Sequence, residues 1–115
     1  MIMDIRKEIF YMAKYCFVTI NMTTRLPQEK VLLSGNSSNL GNWEPSKAKV
    51  CKKIDDTHFS ARCRFELGQN VEFKFVFDPD WTSVEKGMWI EEIKNHSLVA
   101  EKGLVINIDV YNWAK

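Results

Sequence analysis

From Tyr15 onward, apolar side chains recur at every second position in one short run after another. Cys16, Val18, Ile20 and Met22 alternate with Phe17, Thr19 and Asn21, the signature of a strand with one buried face. Phe59, Ala61, Cys63, Phe65 and Leu67 alternate with Ser60, Arg62, Arg64 and Glu66. Val71, Phe73, Phe75 and Phe77 alternate with Glu72, Lys74, Val76 and Asp78, and Leu104, Ile106, Ile108 and Val110 form the last such run. Shorter strands are expected at 31–33, 48–54 and 96–99. Turn chemistry separates them: Pro27 within 25–29, the Gly/Asn/Ser-rich stretch 34–42, Asp55-Asp56-Thr57, Gly68-Gln69-Asn70, Asp78-Pro79-Asp80 and Glu101-Lys102-Gly103, each rich in residues that favour reversal. Seven to eight short strands with no helical stretch after residue 14 predict an all-β chain folded as an antiparallel, immunoglobulin-like β-sandwich.

Residues 1–14 follow a different period. Ile2, Ile5, Ile9 and Met12 recur at spacings of three and four, which fits a short amphipathic helix with Asp4 as its cap; a frayed leader is the alternative. The expected organisation is therefore an extension over 1–14 and one sandwich domain over 15–115. Asp4, Arg6, Lys7, Glu8 and Lys14 interrupt any apolar stretch at the start, so neither a signal peptide nor a membrane helix is expected.

Charge narrows the partners. Sixteen Lys and Arg against fifteen Asp and Glu leave a net charge of +1, which lacks the electrostatic footprint of a nucleic-acid binder. Three cysteines, an odd number with no CxxC pair, read as free thiols in a reducing compartment, and the expected location is cytoplasmic. Cys16 and Cys63 fall on the inward parity, where Cys acts as a small hydrophobe.

Catalytic chemistry is poorly represented. The chain has no nucleophile elbow, zinc-protease, phosphate-loop or EF-hand pattern, and no cofactor or metal is expected. His58 beside Asp55 and Asp56 reads as a solvated turn rather than an ion site. Glu91 and Glu92 are adjacent, so on an extended chain they point apart, whereas a glycosidase needs two carboxylates converging on one bond. Binding is better supported. Four tryptophans are many for one small core, and Trp43, Trp81 and Trp89 all fall in connections, whereas Trp113 reads as core or sheet-edge packing. With Lys74 on an outward strand position and Asn95 shortly after Trp89, the chain offers stacking faces with a cation and an amide. That set suits a neutral ligand with apolar ring faces and many hydroxyls, a sugar above all.

Three ordered blocks carry a more specific likeness. Leu33-Ser34-Gly35 followed by Leu40-Gly41-Asn42-Trp43-Glu44-Pro45 resembles the opening signature of starch-binding domains, carbohydrate-binding module family 20. Val71-Glu72-Phe73-Lys74-Phe75-Val76 is similar to that family's central strand, and Trp89-Ile90-Glu91-Glu92-Ile93-Lys94-Asn95 to its closing block. The resemblance implies non-catalytic binding of an α-1,4-linked glucan, with Trp43 and Trp89 as stacking platforms and Lys74 and Asn95 bonding to hydroxyls. Phe77-Asp78-Pro79-Asp80-Trp81-Thr82 also resembles the glycogen-binding modules of AMP-activated kinase β subunits, which makes Trp81 a supplementary platform. A second glucan site does not carry over, because Leu26-Pro27 and Phe59 stand where the family has aromatic ligands, and His96 replaces a usual arginine. Neither nucleic acid nor membrane is an expected partner. A separate glucan-metabolising enzyme is the chain that would supply catalysis, and a protein-interaction or regulatory sandwich without sugar binding is the alternative reading.

Overall fold

The computed structural model describes residues 14–115; the helix expected within 1–14, with its periodic residues Ile2 to Met12, lies outside the described residues. The strands are β1 (Tyr15–Thr24), β2 (Leu32–Gly35), β3 (Lys49–Val50), β4 (Lys52–Asp55), β5 (His58–Glu66), β6 (Asn70–Val76), β7 (Glu85–Lys86), β8 (His96–Val99), β9 (Val105–Val110) and β10 (Asn112–Trp113). Two four-stranded sheets, β4-β5-β1-β9 and β3-β2-β6-β8, form the layers, and β7 and β10 pair beside them. The core lies between the layers. Val18, Ile20 and Met22 of β1 and Phe59, Ala61, Cys63 and Phe65 of β5 meet Leu33 of β2 and Val71, Phe73 and Phe75 of β6. Period-two alternation along each long strand thus settles which face is wet.

The fold departs from a purely antiparallel sandwich at one pairing. β1 and β5 are antiparallel from Tyr15↔Glu66 to Thr23↔His58, but β9 lies parallel to β1 from Thr19↔Val105 to Thr24↔Val110. Parallel neighbours need a long connection, and here the whole second sheet lies between them in sequence.

Three local expectations are also corrected. The single strand expected over 48–54 is two strands in different sheets, because β3 pairs with β2 and β4 with β5. Cys51, buried between them and bonded through its N–H to the Val31 carbonyl at 3.0 Å, is where the chain crosses from one layer to the other. Leu67 is half exposed, since β5 stops at Glu66 and the Leu67 N–H turns to the Lys14 carbonyl. Val76 is fully buried instead of outward, because the end of β6 forms a bridge with Val84 and breaks the alternation. Phe77 then packs edge-on against Trp113 at 5.5 Å, and the buried Trp113 donates its indole N–H to Thr24 Oγ1 at 3.1 Å.

All three thiols are buried. Burial pushes the Cys51 thiol up to about 12 and the Cys63 thiol up to about 11, so the reactive thiolate is suppressed at neutral pH. The native protein is therefore expected to resist iodoacetamide at mildly alkaline pH, and the guanidinium-unfolded chain to take up three adducts. Mass spectrometry of the two samples checks it, and rapid labelling of the folded protein would contradict the packing. At the turn after β4, Asp55 Oδ1 accepts the Thr57 N–H at 2.9 Å and lies 2.9 Å from His58 Nδ1. The His58 hydrogen bond, with that backbone bond, holds the Asp55 carboxyl down at about 2. These contacts close the β4–β5 hairpin.

Candidate functional site

The loop after β2 carries Trp43 in an unusual backbone. Gly41, Asn42 and Trp43 all have positive φ, at 81°, 49° and 66°. Glycine adopts that region freely, but for a bulky side chain it costs about 1–2 kcal/mol. Hydrogen bonds hold the conformation: Trp43 N–H to the Gly35 carbonyl at 2.8 Å, Asn42 N–H to Ser37 at 3.1 Å and Glu44 N–H to Gly41 at 2.9 Å. At Gly41 a Cβ would lie 2.6 Å from the Lys47 carbonyl, so the position demands glycine for space as well as for φ. Strain of this kind collects where a side chain must be aimed. Here the half-buried Trp43 comes to line a groove together with Lys74 of β6.

Trp81 is placed by the turn after β6. The Asp80 carboxylate caps a single 3-10 turn over Trp81–Ser83, accepting the Thr82 N–H at 2.9 Å. The buried Ser83 hydroxyl bonds the Asp78 and Asp80 carbonyls at 3.0 and 2.9 Å. The result brings the Trp43 and Trp81 rings to 6.1 Å between centroids at an interplanar angle of 42°. A groove of about 350 Å³ opens beside them, lined by Trp43, Lys74, Trp81, Val84, Glu85, Lys86, Glu92 and Asn95.

The floor of the groove depends on Glu85. Between Phe73, where pairing with β8 ends at Phe73↔His96, and the Val76–Val84 bridge, β6 has no ladder partner on that side, and the Glu85 carboxyl fills the gap. Its Oε2 accepts the Phe75 N–H at 2.7 Å and its Oε1 lies 2.8 Å from His96 Nε2, with the Glu85 side chain wholly inaccessible to solvent. His96, where the family pattern has arginine, packs against the rings of Phe73 and Phe75 at 5.3 and 6.1 Å. One carboxyl thereby ties together the strand bearing Lys74, the strand bearing Lys86 and the strand that follows Asn95. Lys86 also faces Glu92 at 4.0 Å.

Four of the five residues singled out from the sequence, Trp43, Lys74, Trp81 and Asn95, therefore share one groove. Trp89 does not line it. It stands 83% exposed between the exposed Met88 and Ile90. A tight turn holds it there: Gly87 N–H bonds the Glu91 carbonyl, Trp89 N–H bonds Glu91 Oε1, and Asn112 Nδ2 bonds the Met88 carbonyl at 2.8 Å. Glu85 and Lys86 were not foreseen. A lone Glu-Lys pair in a connection has no periodicity to mark it, and the two-residue strand β7 exists only through its pairing with β10.

The sequence profile described as starch binding domain matches residues 15–105. The chain belongs to the starch-binding domain family. Among curated relatives, this starch-binding domain is 32% identical over 103 residues to a cyclomaltodextrin glucanotransferase of Niallia circulans, covering 84% of this chain and 13% of that enzyme. Among solved structures it superposes on the family 20 module of the maltotetraose-forming amylase from Pseudomonas saccharophila with a TM-score of 0.63 and 24% identity, over 81% of this chain and 98% of that one. A glycoside hydrolase family 15 glucoamylase from Hypocrea jecorina gives a TM-score of 0.67 at 19% identity, over 89% of this chain and 18% of that one. Both superpositions establish the sandwich. The starch-binding domain spans about an eighth of the curated relative it matches.

Proposed function

We propose that this starch-binding domain binds a curved α-linked glucan chain in the groove between Trp43 and Trp81, without catalysing any reaction on it. The observation that carries this reading is the tilted indole pair beside Lys74 and Asn95. Pyranose rings present apolar C–H faces that stack on indole, and two platforms inclined at 42° suit a chain that bends between successive residues, as α-1,4 linkage makes it do. Lys74 offers hydroxyl oxygens a charged donor, and Asn95 offers a donor and an acceptor. The two carboxyls of the groove are each engaged, Glu85 with β6 and His96 and Glu92 with Lys86, which suits holding a ligand rather than cleaving it. The module would bring an attached or separate glucan-metabolising enzyme to its polymer.

Titration with maltoheptaose or β-cyclodextrin, followed by tryptophan fluorescence and calorimetry, tests the reading. Two platforms with a few wet hydrogen bonds imply a dissociation constant of roughly micromolar to millimolar. Because the ligand is neutral, the constant should hold from low salt to about 1 M. A steep salt dependence, or no retention on glycogen at all, would reject it.

Trp89 makes a separate expectation. Because it is exposed and does not line the groove, Trp89→Ala should weaken maltotriose binding by less than about twofold, with stability within about 0.5 kcal/mol of the parent. An equal loss for Trp89→Ala and Trp81→Ala on maltotriose would instead make Trp89 a primary platform.

A further inference from the structure

The face of the sandwich away from the groove carries a second built feature. On the outer surface of the β4-β5-β1-β9 sheet, Arg62 and Arg64 alternate with the buried Ala61, Cys63 and Phe65. Across from them, Tyr15 and Phe17 are exposed large aromatics. Arg64 pairs with Phe17 and Arg62 with Thr19 in the strand register. Each guanidinium leans diagonally back, however, Arg64 over the Tyr15 ring and Arg62 over the Phe17 ring, both 4.0 Å from the centroid. Such close cation–π contact holds each guanidinium over its ring, and its forked N–H donors remain available to an anion. Among the described residues, no carboxylate lies within ion-pair distance of either guanidinium.

We propose that this face docks an extended acidic polypeptide segment whose carboxylates fall at alternate positions. Two arginines two residues apart on a strand are separated by roughly 6.6 Å along its axis. A partner strand repeats its same-face side chains at that same interval, so its successive outward carboxylates would meet the two forks in register. Forked donors match carboxylates two bonds at a time. A sugar is the wrong ligand here, because the arginines already occupy the ring faces it would stack on. Nucleic acid is disfavoured as well. The outward charges that border the pair include Glu66 beside Tyr15, Asp109 on β9 and Asp55 at the end of β4, with Lys52 of β4 and Lys14, 5.4 Å from the Tyr15 ring centroid, as further cations, so acidic groups interrupt any basic path across the sheet. At the Tyr15 end the stripe opens into a depression of about 510 Å³ that Ser38, Glu66 and Gln69 help to line; Asn36 and Asn39 brace its wall through bonds to Asn70, Glu72, Ser37 and Arg64. Lying on the opposite layer from Lys74, the site leaves the glucan groove free, so one module could hold polymer and protein together.

Fluorescence anisotropy of the whole chain with two labelled hexapeptides tests this without any glucan present. One peptide alternates threonine and glutamate; the other has the same composition with its three glutamates contiguous. The alternating peptide should bind more tightly by about tenfold, and the Arg62→Gln/Arg64→Gln double variant should lose about that factor while keeping the parental circular dichroism and melting temperature. The double lysine variant keeps the charge but not the fork, so it should fall short of the parent. Equal binding of the two peptides, equal binding by parent and double variant, tighter binding of an oligothymidylate, or no binding would each overturn the proposal. So would a concentration-dependent dimer in sedimentation that the glutamine variant abolishes, since a second copy would then occupy the face. None of these outcomes depends on whether the Trp43–Trp81 groove binds glucan.

Discussion

Trp81→Ala is expected to raise the dissociation constant for β-cyclodextrin or maltoheptaose by about 10- to 100-fold, the equivalent of one stacking platform of about 1–3 kcal/mol. The ring is 40% exposed, and the turn that carries it is held by Asp80 and the buried Ser83 hydroxyl rather than by the indole. The melting temperature should therefore move little, in keeping with a surface change of about 0.5 kcal/mol. Trp81→Phe should keep part of the affinity, because a smaller ring still offers a face. For the other platform the informative change is Trp43→Gly. Glycine accepts the 66° φ that tryptophan adopts under strain, so binding should fall as it does for Trp81→Ala while stability holds or rises. Calorimetry and thermal melts on the same preparations separate the two effects. If both variants stay folded and bind like the parent, the groove is not the glucan site.

Glu85→Ala should act on the fold first and on binding through it. Removing a carboxyl with 0% side-chain exposure leaves the Phe75 N–H and His96 Nε2 without their partner, and breaking such a buried pair costs about 3–5 kcal/mol. For a domain of this size that corresponds to a fall in melting temperature of more than about 12 °C, a large share of the 5–15 kcal/mol that holds most domains together. Glu85→Gln keeps the shape and an acceptor, so it should lose less, about 1–3 kcal/mol. A Glu85→Ala protein that melts within a degree or two of the parent would show that the gap beside β6 tolerates water, and that the carboxyl does not organise the groove.

The candidate site was legible residue by residue but not as an arrangement. Trp43, Lys74 and Asn95 were marked by ordered blocks along the chain, and each sits in the groove. The ranking of the other two tryptophans did not follow from the sequence. Trp89 lies in the block most like the family's closing motif, yet the Gly87–Glu91 hydrogen bonds turn it out to solvent. Trp81 reaches Trp43 because an Asp80-capped turn and a left-handed Gly41-Asn42-Trp43 backbone point the two rings toward each other. Neither orientation is encoded by periodicity, since both depend on hydrogen bonds inside irregular loops that carry no repeat. Glu85 was invisible because its partners belong to other strands, β6 and β8.

The long strands, their buried faces and the all-β class were determined by the sequence alone, because alternation is a local property that burial of one face enforces at every second residue. Turn residues fixed where most strands stop. Tertiary structure decided what alternation cannot express: the parallel neighbour of β1, the crossing of the chain between layers at Cys51, the burial of Val76, and the meeting of two indoles over one groove. Each of these depends on which strand or loop lies beside another. That choice is made when non-local hydrogen bonds and core contacts form together, and no short window of sequence contains both partners.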